Sequence, residues 1–187
     1  MPRIFILVIA LALCTGLSTD VFAQNSEQKT QNLIAALGKT KYKKKEKKGI
    51  SIEVYVDVKS EAVVKNNVRD YAGVYQTSAG DYRLDLRVAS DGRAEGSGYG
   101  TGFMNEQKRN FTLRDAQIVG ALLTATKIYA DGRTEKLEAV FINRKTVEGK
   151  NPSEINSRET KYGLGFIDTF GLADGTLTNR VFLEFKP

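Results

Sequence analysis

A carboxylate on an apolar face and a face with no side chains at all are the two features of this sequence that could carry chemistry. If residues 160–169 form a strand, Asp168 falls in register with Tyr162, Leu164, Phe166 and Phe170. The simple expectation is that the strand is leaving the core there; a buried Asp168 would need a partner, because an unpaired interior charge is costly. Gly96, Gly98, Gly100 and Gly102 alternate with Ser97, Tyr99, Thr101 and Phe103, so one whole face of that strand would be bare. Either an aromatic ring from a neighbouring strand lies across the glycines, which is the favoured expectation, or a ligand approaches the backbone. The string follows a hairpin and opens no helix, so it is not a dinucleotide-binding fingerprint. The ligand-binding candidates are therefore Gly96, Gly98, Tyr99, Gly100, Tyr162 and Asp168.

What the chain lacks narrows the chemistry further. It has no His, no Trp and a single Cys, at position 14. Hydrolysis by Ser-His-Asp or Cys-His needs an imidazole, and zinc, copper and haem sites need His, Cys or Met ligands. Two-carboxylate catalysis, or an activated Lys, Tyr or Ser, is what is left. Glu95, Asp115 and Glu138 read as solvated hairpin charges, and no two carboxylates can be given a catalytic separation. No catalytic residue, metal or cofactor is predicted.

The charge is concentrated in one place. Residues 39–48 hold seven Lys and one Glu, and that tract alone accounts for the net charge of +6. The rest of the chain is balanced, which argues against a groove-reading nucleic-acid domain with cations spread over a folded face. Self-repulsion predicts an extended linker. A second possibility is an electrostatic contact from Lys43, Lys44, Lys45, Lys47 and Lys48 to an anionic envelope surface, lipid headgroup or acidic polymer.

Residues 1–23 read as a secretory signal: Arg3, an apolar run from Ile4 to Cys14, and Val21-Phe22-Ala23 as a cleavage site leaving Gln24 first. The run is about half of the roughly 20 residues needed to span a bilayer, so no transmembrane segment is predicted. Lipidation at Cys14 is disfavoured because Leu13 is bulky where that motif wants a small residue. Loss of Cys14 leaves no disulfide, and the expected location is periplasmic or extracellular. The remaining boundaries are a short helix within 24–38, a basic linker over 39–49, and a β domain from 50 to 187.

Ser26 can cap a helix, Leu33, Ile34 and Leu37 share a stripe, and Gly38 suits its end. Ile50 to Val58 alternates as a half-buried strand, and Ser60 to Asp70 allows a second short helix. Asp-Gly pairs at 91–92, 131–132 and 174–175 predict type I′ hairpins. Nine strands follow, near 50–58, 72–77, 81–89, 93–101, 109–115, 120–129, 134–142, 160–169 and 176–186, with long loops at 102–108 and 143–159. The predicted fold class is all-β, an antiparallel up-and-down meander closed or nearly closed into a barrel, with a sandwich as the alternative. The segment Asp70-Tyr71-Ala72-Gly73-Val74-Tyr75 resembles the opening Gly-x-Trp motif of lipocalin-like barrels, with Tyr in place of Trp. The function this favours is a non-catalytic exported barrel binding a small ligand or envelope component. Its rivals are an interaction module of the envelope without a pocket, and a carboxylate-dependent hydrolase. An interior cavity would favour the first and a filled core the second.

Overall fold

The computed structural model describes residues 24–38, 43–47, 50–101, 108–149, 157–172 and 175–187, without the side chains of 43–47, 50–59, 146–149, 157–159, 169–172 and 175–178. The expected signal over 1–23, Lys48 and Gly102 lie outside the described residues. The described residues form ten strands: β1 Lys43–Lys47, β2 Ile50–Ala62, β3 Gly73–Gln76, β4 Tyr82–Val88, β5 Arg93–Thr101, β6 Lys108–Val119, β7 Leu122–Tyr129, β8 Thr134–Gly149, β9 Ser157–Leu172 and β10 Gly175–Lys186. A 3₁₀ turn, Val68–Tyr71, occupies the stretch that had allowed a second helix.

Strands β3 to β10 form a closed antiparallel barrel of eight strands, because β8 pairs with β9 and β10 pairs with β3. Closure removes the free edges an open sheet of this size would expose. Alternation supplies the interior: Tyr82, Leu84 and Leu86 of β4 are buried between Arg83, Asp85 and Arg87. With Tyr71, Tyr75, Phe111, Leu123, Phe141, Leu164, Phe166 and Leu183 they form one continuous core.

Strands β8 and β9 run on past the barrel. Residues 134–140 of β8 pair with β7, and residues 142–149 pair with β2 along the same edge. Phe141 is the seam, its N–H donating to Ala121 O and its carbonyl accepting from Val63 N, both at 2.9 Å. The described residues of the segment expected to be a loop, 143–149 and 157–159, are therefore strand. The segment's apolar signal is missing because it pairs beyond the core, where the ladder to β2 does not demand an inward apolar face. Five residues of the tract expected to be a linker form β1, paired with β2 from Lys43 opposite Val54 to Lys47 opposite Ile50.

Helix α1 covers residues 24–37, with Gly38 N–H bonded back to Ile34 O. Leu33, Ile34 and Leu37 pack on Val140, Ile142, Ile167 and Phe182 on the outside of the barrel. Such a short helix is marginal in water and is held by this docking. Gly165 makes room for it, since a Cβ there would sit 2.7 Å from Leu37 Cδ1. Arg180, which shares the Phe182 face, donates from Nε to Ala36 O at 2.7 Å and so ties β10 to the helix end.

The Asp-Gly hairpins at 91–92 and 131–132 differ from type I′, while Asp174 of the third lies outside the described residues. Gly92 and Gly132 have φ of +82°, but neither Asp91 nor Asp131 is left-handed. Each turn closes with the Gly N–H on the carbonyl three residues back, Ala89 or Tyr129. This is a type I turn followed by a left-handed glycine, the three-residue hairpin loop. In both, the Asp carboxylate accepts from the following Arg N–H and pairs with its guanidinium, Arg93 at 2.6 Å and Arg133 at 2.8 Å.

Candidate functional site

Asp168 is buried, and its partner is a residue the sequence reading passed over. On β7 the residues Leu123, Ala125, Lys127 and Tyr129 point inward, so a lysine sits on the apolar face with 2% of its side chain exposed. Its ammonium lies 2.9 Å from Glu135 Oε2, 3.2 Å from Tyr82 Oη and 3.4 Å from Asp168 Oδ1. Four rings surround it, with the Tyr82, Phe111, Tyr129 and Phe166 centroids at 5.7 to 5.9 Å. Tyr129 Oη donates to Glu135 at 2.6 Å. The cluster stands near the barrel end that carries the 77–81 and 130–133 turns. The alternation that placed Asp168 on an apolar face places Lys127 on one too, and that was the signal available in the sequence.

The electrostatics hold Lys127 and Glu135 ionised and the phenols beside them neutral. Burial works against the Lys127 ammonium, but the oxygens of Tyr82, Asp168, Glu135 and Tyr129 outweigh it and keep the pKa above the usual lysine value. At Glu135 burial would raise the carboxyl; hydrogen bonds from Lys127 and Tyr129 override it and hold the pKa below the carboxylate range. Burial pushes the Tyr82 phenol up to about 12, with Lys127 partly opposing it. A protonated lysine is neither nucleophile nor base, and a general acid needs a raised carboxyl rather than a lowered one. The arrangement is suited to holding strands together, and the Lys127 and Glu135 shifts both run against covalent or acid catalysis.

The bare glycine face also points inward, and side chains cover it. Gly98 pairs with Leu84 and Phe111, and Gly100 with Tyr82. A Cβ on Gly98 would lie 2.1 Å from Arg83 O and 3.0 Å from Phe111 Cζ; one on Gly100 would lie 2.5 Å from the Tyr82 ring. Gly96 is packed by Leu113 and Leu84 in the same way. The rings that crowd the glycines, Tyr82 and Phe111, also flank Lys127.

Tyr162 belongs to a second interior cluster near the opposite end. Its ring packs on Tyr75 and Phe185, and its hydroxyl is 3.5 Å from that of Tyr75. Tyr75 Oη donates to Tyr71 O at 2.6 Å. Tyr71 Oη lies 2.8 Å from Val63 O and 2.9 Å from Gly120 O, and accepts from Lys65 N at 2.9 Å. Burial raises all three phenols. Asp168 and Tyr162 share β9 but not a site.

Tyr99 alone among the β5 candidates faces out. The register sets Arg83, Tyr99 and Asn110 in one row across β4, β5 and β6, and Asp85, Ser97, Thr112 and Ile128 in the next row across β4 to β7. These rows line an open groove of about 540 Å³. Arg83 forks onto Asp85, Nε to Oδ1 at 3.0 Å and Nη2 to Oδ2 at 3.3 Å. The Tyr99 ring is pinned by its hydroxyl on Gly80 O and by Lys108 Nζ, 4.3 Å from the ring centroid. Glu95 and Asp115 are exposed, as expected of hairpin charges, and Glu138 pairs with Lys29 at 2.7 Å on the surface. Among the described residues no group of three His, Cys, Asp or Glu is placed to hold a metal ion, and no helix is long and apolar enough to cross a membrane. Comparison with family models, curated proteins and solved structures found no match.

Proposed function

We propose that this chain is an exported, non-catalytic binding module of the periplasm or cell surface that meets an envelope component on the outside of its barrel. The observation that supports this most is the filled interior. Rings from β4, β6, β7 and β9 meet over the glycines of β5, and the polar groups among them are spent on each other. A barrel that takes a small molecule inside needs an apolar cavity with convergent free polar groups. Here the accessible polar groups are on the outer wall. The Lys tract adds a second, salt-sensitive contact to an anionic surface.

Native mass spectrometry of the protein isolated from its own source tests the reading. The expected spectrum is a chain beginning at Gln24 with no small molecule bound. A stoichiometric adduct lost on replacing interior Phe111 or Phe166 would overturn it. For the Lys tract, deleting residues 39–48 is expected to abolish sedimentation with anionic vesicles at low salt; unchanged sedimentation would move the anionic contact onto the barrel.

A further inference from the structure

We infer that the outer groove over β4 to β7 is a binding site for a neutral, polyhydroxylated chain, a glycan strand, which it grips across the strands with Tyr99 as its platform. This rests on the proposal that the partner is met on the barrel's outside.

Backbone is the first argument. β4, β5, β6 and β7 each have a neighbour on both sides, so their N–H and C=O groups are spent in the barrel ladders. A peptide cannot add as a strand here, and recognition falls to side chains alone. Spacing is the second. Strands sit about 4.8 Å apart and alternate residues about 7 Å apart, so four strands give a binding strip about 14 Å long and two rows wide.

Chemistry is the third. The strip offers the Tyr99 ring on β5 and, one row on and two strands away, the aliphatic Ile128 on β7, with planar or hydroxyl hydrogen-bonding groups in Asn110, Ser97 and Thr112 between them. Ser97, Asn110 and Thr112 are exposed, while Tyr99 and Arg83 are half-buried and therefore held. Hydroxyls that both donate and accept match such groups, and the C–H face of a sugar ring matches the aromatic one. Charge is the fourth. Arg83 and Asp85 neutralise one another as a fork that bridges the two rows, and the cation beside them, Lys108, is turned onto the Tyr99 ring at the end of the strip, so the two rows themselves carry no net charge. The adjoining groove of about 730 Å³ continues the pattern, with Arg87 opposite Glu95 in register, Arg93 paired to Asp91 and Asp115 to Arg114.

Affinity electrophoresis of the intact chain tests this, in gels containing soluble glucan, xylan or galactomannan, beside a gel containing polyglutamate. Retardation by at least one neutral polysaccharide is expected. Thr112→Arg fills the strip from an exposed position without entering the core and should weaken retardation about tenfold while leaving the thermal melt unchanged. Tyr99→Ala should weaken retardation as well, with a lowered melt because it also gives up the Gly80 and Lys108 contacts. No retardation in any neutral gel, or retardation that Thr112→Arg leaves intact, overturns the site. Retention by polyglutamate alone overturns the neutral-ligand argument but leaves an outer-surface contact standing. A co-purified interior ligand would instead remove the reading on which the site rests.

Discussion

The two ends of the barrel interior are closed by opposite means. Towards one end a buried ammonium is neutralised by Asp168 and Glu135 and wrapped by four rings. At the other, Tyr71, Tyr75 and Tyr162 use neutral phenols, and two of them reach backbone carbonyls that the strand ladder leaves over. The difference follows from what each end must join. Tyr71 stitches irregular backbone, the Val63 link and the Gly120 turn, where donors are needed to satisfy carbonyls. Lys127 joins regular strands whose backbone is already paired, so only side chains can meet there. A neutral network costs little to desolvate, whereas an ion cluster gives geometric specificity at a high desolvation cost and is fragile to loss of one member.

The largest expected effect comes from breaking the charged end. Lys127→Met keeps the length and takes the ammonium away from buried Asp168 and from Glu135; a stability loss of about 3 to 5 kcal/mol is expected in urea titration. Adding Asp168→Leu should recover a large part of it. If the double variant is as unstable as the sum of the two single ones, the pair is not coupled and the comparison of the ends collapses. Gly98→Val comes next, at about 2 to 3 kcal/mol, because the new Cβ meets the Arg83 carbonyl and the Phe111 ring. A thermal melt left unchanged would mean that the glycine face is open and would return it to the list of ligand walls.

Much of this wall was legible in the sequence and much of the site was not. Alternation gave β4 and the inward set of β9, because their apolar residues recur at every second place; Asp168 stood out against Tyr162, Leu164 and Phe166. Lys127 carried the same signal in weaker form, since Ala125 is small and the Asp-Gly turn three residues on made its charge look like a hairpin flank. Strand β2 was legible from the alternation of Ile50 to Val58, but its partner, the far half of β8, was not, as Arg144, Lys145 and Glu148 break the period where no core demands one. The outer rows could not be read at all, because cross-strand neighbours depend on register, and two bulges, at Ala94–Ser97 and Arg114–Gln117, shift it.

At the neutral end the effects are smaller. Tyr75→Phe removes one buried hydroxyl and strands the Tyr71 carbonyl, at about 1 to 2 kcal/mol in the same titration. The raised phenols also set an alkaline limb. A tyrosine whose folded pKa lies above its unfolded value stabilises fully below about 10, and that stability is lost as pH rises towards the folded value. Tyr75→Phe should flatten this limb and leave the acid side untouched. An acid limb that moved with it would show that the two ends are one network.

The smallest effect sharpens the charged end. Glu135 has a lowered pKa, so it stabilises above the unfolded carboxylate value, and that contribution is lost as pH falls through the folded one. Its side chain is 42% exposed, so water screens it and the neutral-pH cost of Glu135→Gln should be small, well under that of Lys127→Met. The informative quantity is the slope. Glu135→Gln keeps an oxygen for Tyr129 and for Lys127 but removes the proton uptake, so a plot of stability against pH from 6 down to 3 should flatten by the same small amount that its value at pH 7 falls, the variant and the parent converging near pH 3. A variant that loses several kcal/mol at pH 7 with the slope intact would make Glu135, rather than Asp168, the counter-ion that Lys127 cannot do without.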